Sequence, residues 1–197
     1  MIWKTYVPRA LQTLYEIRDY HHAAAILASE FPDEFWEICE ALRMFRFSEG
    51  DIVKKGGSES EIPRIFARML RSQGWMEKKL QVKLTADEKE ISHDTHKIDF
   101  IKGRVACDLE WNSKDQTFDR DLYAFRHFFE YDVISAAVLV TRSNDLDPLF
   151  KSLGIMKKYG ASTTHIGKLL PRLSAGRNGG CPVLVFGITR KLLKETR

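Results

Sequence analysis

Two hydrophobic periods run along this chain, and the switch between them predicts where helices give way to strands. Helical spacing appears in Ala23 to Leu27 and again in Phe35, Ile38, Cys39, Leu42 and Phe45, the latter behind a Pro32-Asp33 start signal. A second helix is expected from about Glu61 to Gln73, where Ile62, Ile65, Phe66, Met69 and Leu70 share one face and Gly74 ends the run. Its opposite face carries Arg64, Arg68 and Arg71. Between these segments DIVKKGGSES reads as a loop rich in groups that contact phosphate. From Trp75 the period drops to two, with Leu80, Val82 and Leu84 alternating against charged neighbours as in a half-exposed strand. Phe118 to Tyr131 predicts an amphipathic helix, with Leu122, Phe125, Phe128 and Phe129 apolar and Arg120, Asp121, Arg126 and Glu130 interleaved. Val133 to Thr141 and Pro182 to Thr189 are continuous apolar runs suited to buried strands. Between them lie a helical stretch near Asp147 to Tyr159 and the polar loop SAGRNGG. The order predicts an α/β architecture, a mixed central β-sheet flanked by helices on both faces.

The stretch KIDFIKGRVACDLEW interrupts this apolar pattern with three acids. A turn at Lys102-Gly103 pairs the Ile98 to Ile101 segment with Val105 to Trp111, and alternation puts Val105, Cys107, Leu109 and Trp111 on one face. Ala106, Asp108 and Glu110 take the other, and Asp99 lies beside them. Neighbouring carboxylates repel, and at least one pKa must rise unless a positive charge sits between them. Three oxygen donors at a strand end suit Mg2+ or Mn2+, an ion that acidifies water and stabilises a phosphoryl transition state. The spacing D-x8-D-x-E is short, and it leaves a second reading open, in which the acids pair with Lys97, Lys102 and Arg104 on an exposed sheet face.

Composition narrows the rest. At 197 residues and 44% hydrophobic, the chain is long enough for one substantial core, and a single domain over 1–197 is expected. A net charge of +4 gives no basic tail, so any nucleic-acid surface must be local. Cys39, Cys107 and Cys181 are odd in number, far apart and in apolar contexts, which predicts reduced core residues rather than disulfides or a zinc site. No apolar run is long enough to cross a bilayer and the N-terminus has no leader-like segment, so a soluble cytoplasmic protein is expected. The pairs His21-His22 and His93 with His96 read as surface features, the second pair in a polar loop. Glycine-rich phosphate loops are missing, so no nucleotide cofactor is expected, and no serine stands in a nucleophile elbow.

Several stretches, in order, resemble type II restriction endonucleases of the BglII/BstYI group, relatives of BamHI within the PD-(D/E)-x-K nuclease superfamily. They are DYHHAAAILASEFPDEFWEICEAL, RMLRSQGWMEK, IDFIKGRVACDLEW and PVLVFGIT. The resemblance implies a restriction-endonuclease-like fold in which Asp99 and Asp108 bind Mg2+, with Mn2+ able to substitute, and Glu110 activates the attacking water. Here the catalytic strand reads Asp-Leu-Glu, closer to the Glu-x-Glu of BamHI than to the Glu-Val-Gln of the BglII branch. Glu61 or Glu77 could supply an accessory acid. The resemblance further implies a homodimer on double-stranded DNA that cuts a palindrome with a GATC core. Candidate base readers are Asn112, Ser113 and Lys114 after the catalytic strand and Arg177 and Asn178 before the last one, since Arg can address guanine and Asn adenine. Arg177 and Asn178 could equally be exposed loop residues, and Asn112 a strand terminator. Arg64, Arg68, Arg71, Lys54 and Lys55 are assigned to phosphate. Two further readings remain: a structure-specific repair or recombination nuclease of the same fold, and a non-catalytic DNA-binding protein with structural acids.

Overall fold

A computed structural model describes residues 2–54, 60–86 and 89–194, with the backbone alone over 81–95. The chain runs α1 (Arg9–Leu14), β1 (Tyr15–Tyr20), α2 (Ala23–Glu30), α3 (Pro32–Met44), α4 (Glu49–Val53), α5 (Glu61–Arg71), β2 (Met76–Ala86), β3 (Lys89–Lys102) and β4 (Val105–Glu110). It continues through α6 (Thr117–Glu130), β5 (Ala136–Arg142), α7 (Asp147–Ser152), α8 (Ile166–Ser174) and β6 (Val183–Ile188). Six strands form one mixed sheet in the order β1-β6-β5-β4-β3-β2. The pairs β4-β5 and β5-β6 are parallel, and the outer pairs are antiparallel.

The two sheet faces carry separate cores. On one, Leu42, Phe45 and Phe66, from α3, its exit and α5, pack with Val105, Cys107 and Leu109 of β4; α1, α2, α4 and α7 add Leu11, Leu27, Ile52 and Phe150. On the other, Phe118, Leu122, Phe125 and Phe128 of α6 and Leu169 and Leu173 of α8 cover Ala106, Leu139 and Val185. The expected α/β sandwich with helices on both faces is therefore the observed fold, and β4 alternates between the two cores as its sequence predicts. The starts are also as expected: α3 opens on Pro32 with Asp33 and Glu34 in its first turn and Arg43 in its last, matching the helix dipole at both ends.

Five local expectations need correction. β1 was not expected, because YEIRDY buries fully only Tyr15 and Ile17, and its strand form comes from antiparallel pairing with β6. α8 was also missed, since it opens on Ile166-Gly167 and contains Pro171. His93 and His96 lie in the long β3 rather than in a loop. The helix expected over Asp147 to Tyr159 ends at Ser152, close to Gly154 at φ +69°. Finally, Asp51 to Val53 of the expected loop belong to α4, opened by a reciprocal cap between Ser48 and Asp51, while residues 55–59 lie outside the described residues.

Candidate active site

β3 and β4 pair at Phe100 with Cys107, Ile101 with Ala106 and Lys102 with Val105, so the two turn residues are Gly103 and Arg104, one position later than expected. Gly103 takes φ +52°, a conformation that favours glycine, and a Cβ there would stand 2.5 Å from Oε1, the movable end of the Glu34 side chain. The ladder stops at Phe100. Beyond it the Asp108 side chain replaces the backbone, Oδ1 accepting the Asp99 N–H at 2.7 Å. On the other edge of β3, Met76 pairs with Ile101 and Lys78 with Ile98, so Asp99 and Phe100 together oppose Glu77. That extra residue is a β-bulge, which re-aims a side chain at the point where pairing ends.

The bulge turns Asp99 into a cleft of about 630 Å3 beside α5. Arg64, Arg68 and Arg71 line its helical wall and Glu61 and Glu77 share it. Arg68 pairs with Glu61 at 2.9 Å, and Arg71 lies 5.9 Å from the Phe100 ring centre. Asp108 and Glu110 have the parity of Ala106 and face α6. Asp108 is 4% exposed, and burial raises its pKa well above the carboxylate range, reinforced by Asp121 and Asp99. Glu110 is raised by burial against an opposing hydrogen bond from Ser113. Asp99, which keeps an open side, is raised by desolvation of its carboxyl and then by Glu77.

The exposed-pairing reading of these acids fails. Lys97 pairs with Glu77 at 2.7 Å, Lys102 with Glu37 at 2.5 Å, and Arg104 with Asp132. The three cations of that reading thus have other partners, and Arg71 and Arg120 only partly offset the repulsion among the acids.

An acid outside the expected site joins them. Asp121 of α6 was placed with the polar side of its helix, yet it is 6% exposed and its burial and Glu110 raise its pKa well above the ordinary range. The signal was available: Phe118, Asp121, Leu122, Phe125 and Phe128 follow the three-and-four spacing of the buried stripe, so Asp121 falls in phase with the core. Two carboxylate oxygens, Glu110 Oε2 and Asp121 Oδ2, are buried without a hydrogen-bond partner, as is Asn112 Oδ1. Among the described residues no three His, Cys, Asp or Glu side chains converge closely enough to enclose an ion as they stand. The donor chemistry nevertheless fits a hard divalent cation: only oxygen ligands, an excess of negative charge, and orphaned acceptors that a cation satisfies.

The expected base readers divide. Lys114 is exposed, and its backbone bridges to Thr163. Ser113 is engaged with Glu110, and its carbonyl accepts from the Thr164 amide at 2.9 Å. Arg177 is exposed and pairs with Asp119. Asn178 must be corrected: it is fully buried, its amide donating to the Cys181 carbonyl at 2.6 Å, which makes it a loop anchor with no face for a base. Lys54 is exposed but does not line the cleft.

A mixed sheet sandwiched by helices, with acids where two antiparallel strands part, defines the restriction-endonuclease-like class of α/β proteins. The family model for restriction endonuclease BglII/BglIII matches residues 15–188, from the first residue of β1 to the last of β6, and the chain belongs to that family. It is therefore a nuclease of the PD-(D/E)-x-K type acting on DNA, with the metal-dependent chemistry that family membership implies. No curated protein matches the chain. No helix of the described residues is long and apolar enough to cross a membrane.

Proposed function

We propose that the chain is a Mg2+-dependent type II restriction endonuclease that works as a homodimer and hydrolyses both strands of a short DNA palindrome, one with a GATC core. The observation that carries this reading is the junction at Asp99 and Asp108, where strand pairing ends, Lys97, Lys102 and Arg104 pair with other acids, and an arginine-lined cleft begins. Asp99 and Asp108 would hold the ion, which when bound supplies positive charge to the phosphoryl transition state and acidifies water. Arg64, Arg68 and Arg71 hold the phosphodiester from α5 without reading sequence. Glu110, with Oε2 unpartnered and its pKa raised, accepts the proton of the attacking water, because a base works best when its pKa approaches the working pH. Ser113 fixes the rotamer of that carboxylate. Attack breaks one phosphorus–oxygen bond, and the leaving oxygen takes a proton from solvent. Two-fold symmetry of a dimer mirrors a palindrome, each subunit cutting one strand.

Digesting a DNA of known sequence with the purified protein and Mg2+ and sequencing the fragment ends tests this reading. Discrete fragments with one common palindromic end are expected. Cleavage that follows junctions or branches instead of base sequence would establish the structure-specific nuclease, and binding without hydrolysis under Mn2+ the non-catalytic protein.

A further inference from the structure

We propose that Asp121 is an additional metal ligand, delivered from α6 to the ion that Asp99 and Asp108 would hold at the end of β4. The inference rests on the metal-dependent reading above and adds a residue to it. Three observations carry it. Asp121 occupies a position where its helix is otherwise apolar, and an aspartate buried to 6% exposure costs free energy unless something compensates it. Its Oδ2 has no hydrogen-bond partner, and neither has Glu110 Oε2 across the α6–β4 contact. Each orphan here is an oxygen, an acceptor in the ionised state, and a cation satisfies such acceptors where no donor reaches them.

Arg120 is the competing explanation. Its Nε stands 4.0 Å from Asp121 Oδ1, too far for a hydrogen bond, and its side chain is 48% exposed, so screening weakens its effect. Oδ2 is left untouched by that contact. Carboxylates that repel one another are drawn together by a divalent charge, and Asn112, two residues past the strand end, carries a further buried oxygen without a hydrogen-bond partner. Asp121 then serves the centre from a helix packed across β3 and β4, a rigid element rather than a loop.

The test is direct Mn2+ binding to the full chain without DNA, followed by electron paramagnetic resonance, for wild type, Asp121→Asn and Asp115→Asn. Asp115 lies on the same approach to α6 but pairs with Arg172 at 3.5 Å and Lys168 at 3.8 Å, so it controls for lost charge. Asp121→Asn should weaken Mn2+ binding by about 10- to 100-fold, while Asp115→Asn changes it little. Asn preserves shape and removes a repelling charge, so the fold should hold by circular dichroism. Asp121→Ser gives the same readout should the amide not be tolerated, and Asp121→Glu should recover part of the affinity. Unchanged affinity in the neutral variants overturns the assignment whatever the cleavage activity. Weakened Mn2+ binding alongside a wild type that cuts no DNA would instead keep the ligand and sink the restriction-enzyme reading.

Discussion

Asp108 lies at 4% exposure in the middle of a buried strand, and one amide hydrogen bond from Asp99 does not offset the cost of an anion there. Without metal the residue is therefore a liability, and its raised pKa fixes the sign of a pH effect. A carboxyl whose folded pKa exceeds its unfolded value contributes stability that is fully present below about pH 3.9 and lost as pH rises through the folded value. Asp108→Asn keeps the acceptor for the Asp99 amide and removes the titration. In chelator, urea unfolding should show the variant more stable than wild type by roughly 1–3 kcal/mol near pH 8, the margin shrinking toward pH 4. A margin constant with pH would mean that Asp108 is not held raised. Glu110 makes a different prediction, because it is assigned to proton transfer rather than to stability. Glu110→Gln should lower kcat by about 10^2- to 10^4-fold with KM little changed, measured by single-turnover cleavage. A rise in KM alone would reassign it to binding.

The elements that make the site were the most legible part of the sequence, because β4 obeys a strict period of two against two different cores. Val105, Cys107 and Leu109 go one way and Ala106 goes the other with the acids' parity. What the sequence hid is what pairing and packing decide. The bulge opposite Glu77 leaves no trace in residue types, and only the observed register reveals that Asp99 turns into the cleft. β1 is a strand because β6 is beside it, and α8 forms around Pro171 because Ile166, Leu169 and Leu173 bury a face against the sheet. Asp121 was readable from its phase but was counted with its charged neighbours; a carboxylate inside an apolar stripe is a stronger signal than one beside it. The turn is equally specific. Gly103→Ala must be strained at φ +52° and must displace Glu34, so it should cost about 1 kcal/mol or more. Thermal melts should show Tm lower by about 2–4 °C for a protein of this size, and an unchanged Tm would mean that Glu34 and the turn relax freely.

For the molecule as a whole, a net charge of +4 supplies little long-range attraction to DNA, so binding must come from charge gathered locally. The arginine wall of α5 is such a gathering, three guanidinium groups along one cleft that also holds Asp99. Arg64→Ala and Arg68→Ala should each weaken duplex binding to a similar extent on all sequences and reduce the salt slope of log K by about 0.9. A loss confined to one sequence would make either arginine a base reader. The central claim is narrower than binding: the acids at the parting of β3 and β4 carry the hydrolysis. It is tested by measuring Mg2+-dependent cleavage and duplex affinity together for wild type and Asp99→Ala. Wild type should cut and the variant should bind DNA within a few-fold of wild type while cutting nothing; cleavage that persists in Asp99→Ala would contradict the account.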